Sequence, residues 1–186
     1  MTEPPPAPDG PASGLPATPS LARRMACLLY EAMLLFGLAL IPGVLGALFV
    51  AQTGQRHPLQ SDTALRVYAF VLYGVYFVWF WSRRGQTLAM QTWRIRVVTI
   101  AGAPLSQRRA LARYLAGCVA WFALPTALAT VLRWPPLTSL VALAVWFCVY
   151  PLLALVAPGR QFWHDRLCGT RLVDAGETPA LRPRPR

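Results

Sequence analysis

The sequence is short of charge. Only 13% of its 186 residues are Asp, Glu, Lys or Arg, about half the share that a water-soluble domain carries. So little polar surface cannot face water all round, which excludes a soluble globular enzyme. Lysine is missing: all 18 basic residues are Arg, against seven acidic ones, for a net charge of +11. A balance this basic fits nucleic acid or a membrane. Long apolar runs split the arginines apart, so the expected partner is a bilayer with its anionic headgroups, and nucleic acid is not expected. Cysteine is scarce and unpatterned. Cys27, Cys118, Cys148 and Cys168 form no C-x-x-C and no paired spacing, which argues against a disulfide framework or a zinc site and for buried free thiols. There is no Gly-rich phosphate loop, no dinucleotide fingerprint and no nucleophile elbow. The chain is therefore read as a non-enzyme with no cofactor and no metal.

What is present is apolar length. Four runs stand out: Met25–Ala51, broken only by Glu31; Val67–Trp81; Tyr114–Leu132, 19 residues without a charge; and Leu137–Ala157, 21 residues without a charge. A helix needs about 20 apolar residues to cross a ~30 Å hydrocarbon core. Three runs meet that length and the second is marginal. The runs are continuous rather than alternating, so they read as helices and not as barrel strands. The expected fold class is an all-α polytopic membrane protein with four transmembrane helices. The flanks are uneven: with four spans, 15 of the 18 arginines fall on the side that holds both termini and the 82–113 loop. The positive-inside rule puts that side, with both termini, in the cytoplasm. His57 and His164 then fall on opposite faces and cannot share a metal.

Residues 1–20 hold seven of the 18 prolines and read as a disordered tail; residues 175–186, ending in Arg182-Pro-Arg-Pro-Arg186, read as a second, basic tail. Residues 21–174 form the membrane domain between them. In the first run, Ala39-x-x-x-Gly43-x-x-x-Ala47 is a small-residue face that another helix can approach closely. Pro42, Pro125 and Pro151 lie inside spans and predict kinks. Trp134-Pro135-Pro136 predicts a tight turn joining the last two spans.

The charges inside this frame need explaining. Glu31 lies within the first span, where an ionised carboxylate costs a few kcal/mol and so faces the bundle interior or takes up a proton. Arg24, seven residues earlier, lies on nearly the same helix face. Such a carboxylate suits a proton or cation site; the competing reading is a structural Glu paired with an arginine of the 82–113 loop. Asp165 lies in Arg160-Gln-Phe-Trp-His-Asp-Arg-Leu-Cys168. That stretch predicts a short interfacial helix with Phe162, Trp163 and Leu167 on the membrane surface and His164 and Asp165 turned elsewhere. Asp165 either pairs locally with His164 or Arg166, or pairs with an arginine of span one or of the 82–113 loop. His164 is a weaker candidate for titration near neutral pH. In the 82–113 loop, Gly85 to Trp93 predicts an interfacial helix. Ile95–Thr99 and Thr170–Asp174 share strand chemistry and are expected to pair on the cytoplasmic face. Ser106 predicts the cap of a helix that runs on into the third span.

Three blocks of these residues resemble the RDD family of bacterial integral membrane proteins, named for one Arg and two Asp. They are Arg23-Arg24 through Glu31; Gly85-Gln-Thr-Leu88, Arg96-Val-Val98 and Gly102-Ala-Pro-Leu-Ser106, followed by Arg113-Tyr114; and His164-Asp165 through Val173. The resemblance covers residues 23–173. It implies Arg24 as the family Arg, Glu31 in place of the first Asp and Asp165 as the second; His164, Arg96 and Arg113 are supporting candidates beside them. Glu at position 31 departs from the family pattern by one methylene. The family implies a transporter of an unknown small ligand or cation, proton-coupled if Glu31 titrates. Four spans enclose little volume, so a pathway would require a homo-oligomer or a partner membrane protein. The alternative reading is a non-transporting membrane module that assembles or stabilises a partner complex.

Overall fold

The computed structural model describes residues 16–54 and 61–176. Four helical stretches in it are long and apolar enough to cross a membrane. The first helix, α1 (Leu21–Thr53), starts at Ser20, whose hydroxyl accepts from the Arg23 N–H at 3.3 Å. It ends at Gly54, at φ +68°, whose N–H returns to Val50 O at 2.9 Å. Both are ordinary helix stops: a hydroxyl for an orphan donor and a left-handed glycine for an orphan carbonyl. The second helix, α2 (Asp62–Arg83), is 22 residues long, capped by Ser61. It is not marginal, because the helix extends through Thr63 and Arg66 beyond the apolar run: hydrogen bonding, not hydropathy, sets its length.

The third span is composite. It joins α4 (Gln107–Cys118), a π-helical turn at Val119–Ala123 and α5 (Leu124–Val131). Ser106 caps α4 as expected, accepting from the Arg109 N–H at 3.3 Å. Leu124 N–H bonds Val119 O, five residues back. Pro125 follows with no N–H to give, and Thr126 Oγ1 donates to Phe122 O at 2.7 Å and Ala123 O at 3.1 Å. The extra residue is thus absorbed where proline interrupts the ladder. By contrast, the helices containing Pro42 and Pro151 continue through them. After Arg133, at φ +52°, the chain turns into α6 (Pro136–Val156). Trp146 Nε1 of α6 donates to Ala120 O at 2.9 Å, holding the fourth span against the π turn.

Two short helices and two strands complete one end of the bundle. They are α3 (Leu88–Thr92), β1 (Ile95–Thr99), α7 (Trp163–Leu167) and β2 (Thr170–Asp174). The strands pair antiparallel, Ile95 opposite Asp174 and Thr99 opposite Thr170. The expected pair is therefore present. The expected helix over Gly85–Trp93 is shorter, because Gly85 sits at φ +68° and its carbonyl takes the Val97 N–H at 2.8 Å. A Cβ there would meet Val97 O at 2.8 Å, so only glycine fits. In α3, Ala89 and Met90 are buried in the core while Leu88 is exposed. In α7, Trp163 and Leu167 are exposed as expected, but Phe162 is buried: it stacks on His164, with centroids 5.5 Å apart.

The core lies at this end. In α1 only Arg24, Cys27 and Glu31 are buried, and in α6 only Tyr150, Pro151 and Ala154. Of the thiols only Cys27 is buried; Cys148 is exposed, because α6 turns that face outward. Residues 16–20, expected within a disordered tail, are part of the fold. Ala17 O accepts from Asp174 N–H at 2.9 Å, and Gln161 Nε2 donates to Thr18 Oγ1 at 2.9 Å. Residues 1–15, 177–186 and His57 lie outside the described residues.

Candidate functional site

Helical spacing makes the first half of the site. Arg24, Cys27 and Glu31 are three and seven residues apart, so they form one stripe on α1, and all three are buried. Glu31, 5% exposed, meets two hydroxyl donors. Tyr76 of α2 donates to Oε1 at 2.6 Å, and Thr87 donates to Oε2. Thr87 is also the N-cap of α3, where it accepts from the Met90 N–H at 3.2 Å. A single hydroxyl thus closes a helix end and holds the carboxylate. Among the described residues Glu31 has no ion-pair partner. The expected pairing with an arginine of the 82–113 loop is not what the structure contains: Thr87, capping α3, occupies that position.

The second half is built on Asp165, which is fully buried. Arg113 Nε of α4 lies 2.8 Å from Oδ1, and His164 Nε2 lies 3.3 Å from the same oxygen. The Arg113 contact is an ion pair rather than a well-aligned hydrogen bond, since neither Asp165 oxygen has a well-formed donor. The Asp165 backbone carbonyl accepts from Thr170 Oγ1 at 2.9 Å, which fixes the turn into β2. Tyr150 Oη is 2.6 Å from His164 Nδ1. Burial holds His164 below the ordinary histidine range; Asp165 opposes this and Arg113 adds to it. A neutral ring fits both contacts, with Nε2–H towards Asp165 and Nδ1 accepting from the Tyr150 hydroxyl. The guanidinium groups stack on rings: Arg113 Cζ lies 4.1 Å from the Trp81 centroid, and Arg24 Cζ 4.7 Å from that of Phe162. Arg24 Nε and Nη1 are buried with no hydrogen-bond partner among the described residues.

This linked arrangement runs from the start of α1 to α7, and the RDD family model matches residues 18–169 over the same stretch. The chain belongs to the RDD family. No curated protein and no solved structure matches it.

In this RDD chain, the residues singled out from sequence divide into two clusters. Glu31 sits with Tyr76 and Thr87, while Asp165, Arg113 and His164 sit with Tyr150. Arg24 lies between, on the Glu31 stripe but stacked on Phe162 next to His164. Asp165 pairs with Arg113 of the 82–113 loop and not with Arg166, whose guanidinium lies over Trp163 at 5.6 Å. Arg96 joins neither cluster: its Nη2 donates to Gln86 Oε1 at 3.4 Å. Thr87, Tyr76, Tyr150 and Trp81 were not identified from the sequence. Thr87 had a usable signal, a threonine just before a helical run; the three aromatics are hidden among many others. A separate clamp joins α1 to the sheet: Arg23 pairs with Asp174 and donates to Trp93 O at 2.7 Å and Arg94 O at 2.8 Å. Arg23 holds the Asp174 carboxyl below the usual range.

Proposed function

We propose that this protein is a proton- or cation-linked transporter of the cell inner membrane, with Glu31 as the group that exchanges. One observation carries the reading. Glu31 is buried inside a spanning helix and held only by the neutral hydroxyls of Tyr76 and Thr87. A carboxylate in that setting is accommodated by taking up a proton or binding a small cation. Asp165, beside its arginine, has its counter-charge built in. It acts as the fixed anion that steadies Arg113, with the His164 ring, itself against the Tyr150 hydroxyl, on its other side. The arginine asymmetry supports a cytoplasmic sheet end and cytoplasmic termini. An impermeant thiol reagent added outside should then reach a cysteine at Arg133 (Arg133→Cys) and not one at Arg109 (Arg109→Cys).

The test is flux in proteoliposomes, read by a pH-sensitive dye during pulses of Na⁺, K⁺ and Li⁺. Wild type should move protons against at least one cation, and Glu31→Gln should abolish that flux while keeping the fold, because the amide oxygen still accepts a hydroxyl. Equal flux in both proteins would remove Glu31 from the mechanism. A second reading, a module that assembles a partner complex, draws on one observation. The sites where a Cβ would stand on Gly37 and Gly43 of α1 have nothing within 4 Å, so a further helix has room to pack there.

A further inference from the structure

A groove of about 430 Å³ opens just past the end of α6, between the Pro158–Arg160 turn, α7 and the start of β2. Arg166, Arg171, Gln161, Trp163, Leu167 and Ile100 are on its walls. Leu167 is 80% exposed, Ile100 61% and Trp163 50%. None of the three lies in a spanning helix, so packing of a span against lipid does not explain their exposure.

The polar groups of the groove are mostly spent, except for its two cations. Gln161 bonds Thr18 and both polar groups of the Leu172 backbone, and Thr170 bonds Asp165 O. Arg166 rests over the Trp163 ring. Arg171 makes one long bond, to Pro16 O at 3.4 Å, and its Nε has no partner. None of the described residues lining the groove is acidic, and Asp165 nearby is turned inward to Arg113. Two guanidiniums beside an open apolar rim, one helix end from a spanning segment, match a ligand with an anionic phosphate at one end and hydrocarbon at the other. A tryptophan at that level is a typical interfacial anchor.

We propose that this groove binds the headgroup of an anionic phospholipid. Arg166 and Arg171 hold the phosphate, and Trp163, Leu167 and Ile100 lie against the first part of the acyl chains. The site rests on the reading of the chain as a membrane protein but not on transport, so a failed flux assay leaves it standing.

The test measures binding of phosphatidylglycerol and phosphatidylcholine to the full chain in neutral detergent, by native mass spectrometry. The wild type is compared with the Arg166→Gln/Arg171→Gln pair, with Trp163→Ala, and with an Arg108→Gln/Arg109→Gln pair that removes the same charge from an exposed turn of α4. Phosphatidylglycerol binding should fall about tenfold or more in the groove pair. It should fall less in Trp163→Ala and stay unchanged in the α4 pair, and excess inorganic phosphate should not displace the lipid. An equal loss in both arginine pairs, no loss in the groove pair, no wild-type preference over phosphatidylcholine, or displacement by phosphate alone would each overturn the proposal. If the groove pair does not yield folded protein, Trp163→Ala decides, and unchanged lipid binding in it counts against the site.

Discussion

Asp165 lies 2.8 Å from Arg113 Nε, whereas Glu31 meets only hydroxyls. Two acids that look alike in sequence thus sit in different surroundings, one paired and one not. Replacing Asp165 by Asn leaves Arg113 buried without its anion. Asp165→Asn should therefore destabilise the protein by about 3–5 kcal/mol, seen as a large drop in melting temperature in detergent; a drop no larger than that of a surface control would refute the pairing. His164 makes a second prediction. Its proton affinity is lowered by burial, so below histidine's ordinary value of about 6.5 the unfolded chain binds a proton that the native one does not. Stability is then full above that value and declines as pH falls below it. Melting temperature should drop through mild acid in wild type and drop less in His164→Gln; identical slopes would contradict the assignment. At this scale the sequence named Arg24, Glu31, Asp165, His164 and Arg113 but not who meets whom. Arg113 and Asp165 are 52 residues apart along the chain, and no local spacing brings them together.

The elements were more legible, for local reasons. Ser106 and the β-branched runs at Ile95–Thr99 and Thr170–Asp174 carry their own chemistry, and each formed as expected. Lengths were less legible, because helix bounds follow caps: Ser61 extends α2 beyond its apolar run, and Gly85 shortens α3. The π turn was not foreseen either, since proline signals an interruption without saying how it is absorbed. Packing between elements gives a further prediction. Gly74 of α2 lets the Tyr114 ring of α4 approach, so that a Cβ would stand 3.0 Å from Tyr114 Cε1, while Tyr114 Oη donates to Phe70 O at 2.7 Å. At Gly117 a Cβ would meet His164 Cδ2 at 3.9 Å, an ordinary contact. Gly74→Val should cost about 1–3 kcal/mol by overpacking, and Gly117→Ala close to nothing, compared by thermal unfolding in one detergent. Equal effects would mean that α2 and α4 do not pack as described.

At the scale of the whole molecule, most of the buried core and all the ion pairs described gather at the end that carries the sheet, while the far halves of the spans are mostly exposed. Scarce charge and four apolar runs made the membrane class legible, because a bilayer imposes length and composition on any chain that crosses it. The site was legible only as a set of charges out of place, since its residues come from α1, α2, α4, α6, α7 and the cap of α3. Glu31, alone among the buried acids described, makes no ion pair with a cation. The most direct measurement is infrared difference spectroscopy of the carboxyl stretch, titrated with pH and with Na⁺ in reconstituted protein. An exchanging Glu31 should give a protonated-carboxyl band that changes with pH, shifts when the coupling cation is added and is missing from Glu31→Gln. A band that persists unchanged in Glu31→Gln, or a Glu31 carboxyl that responds to neither pH nor cation, would contradict that exchange.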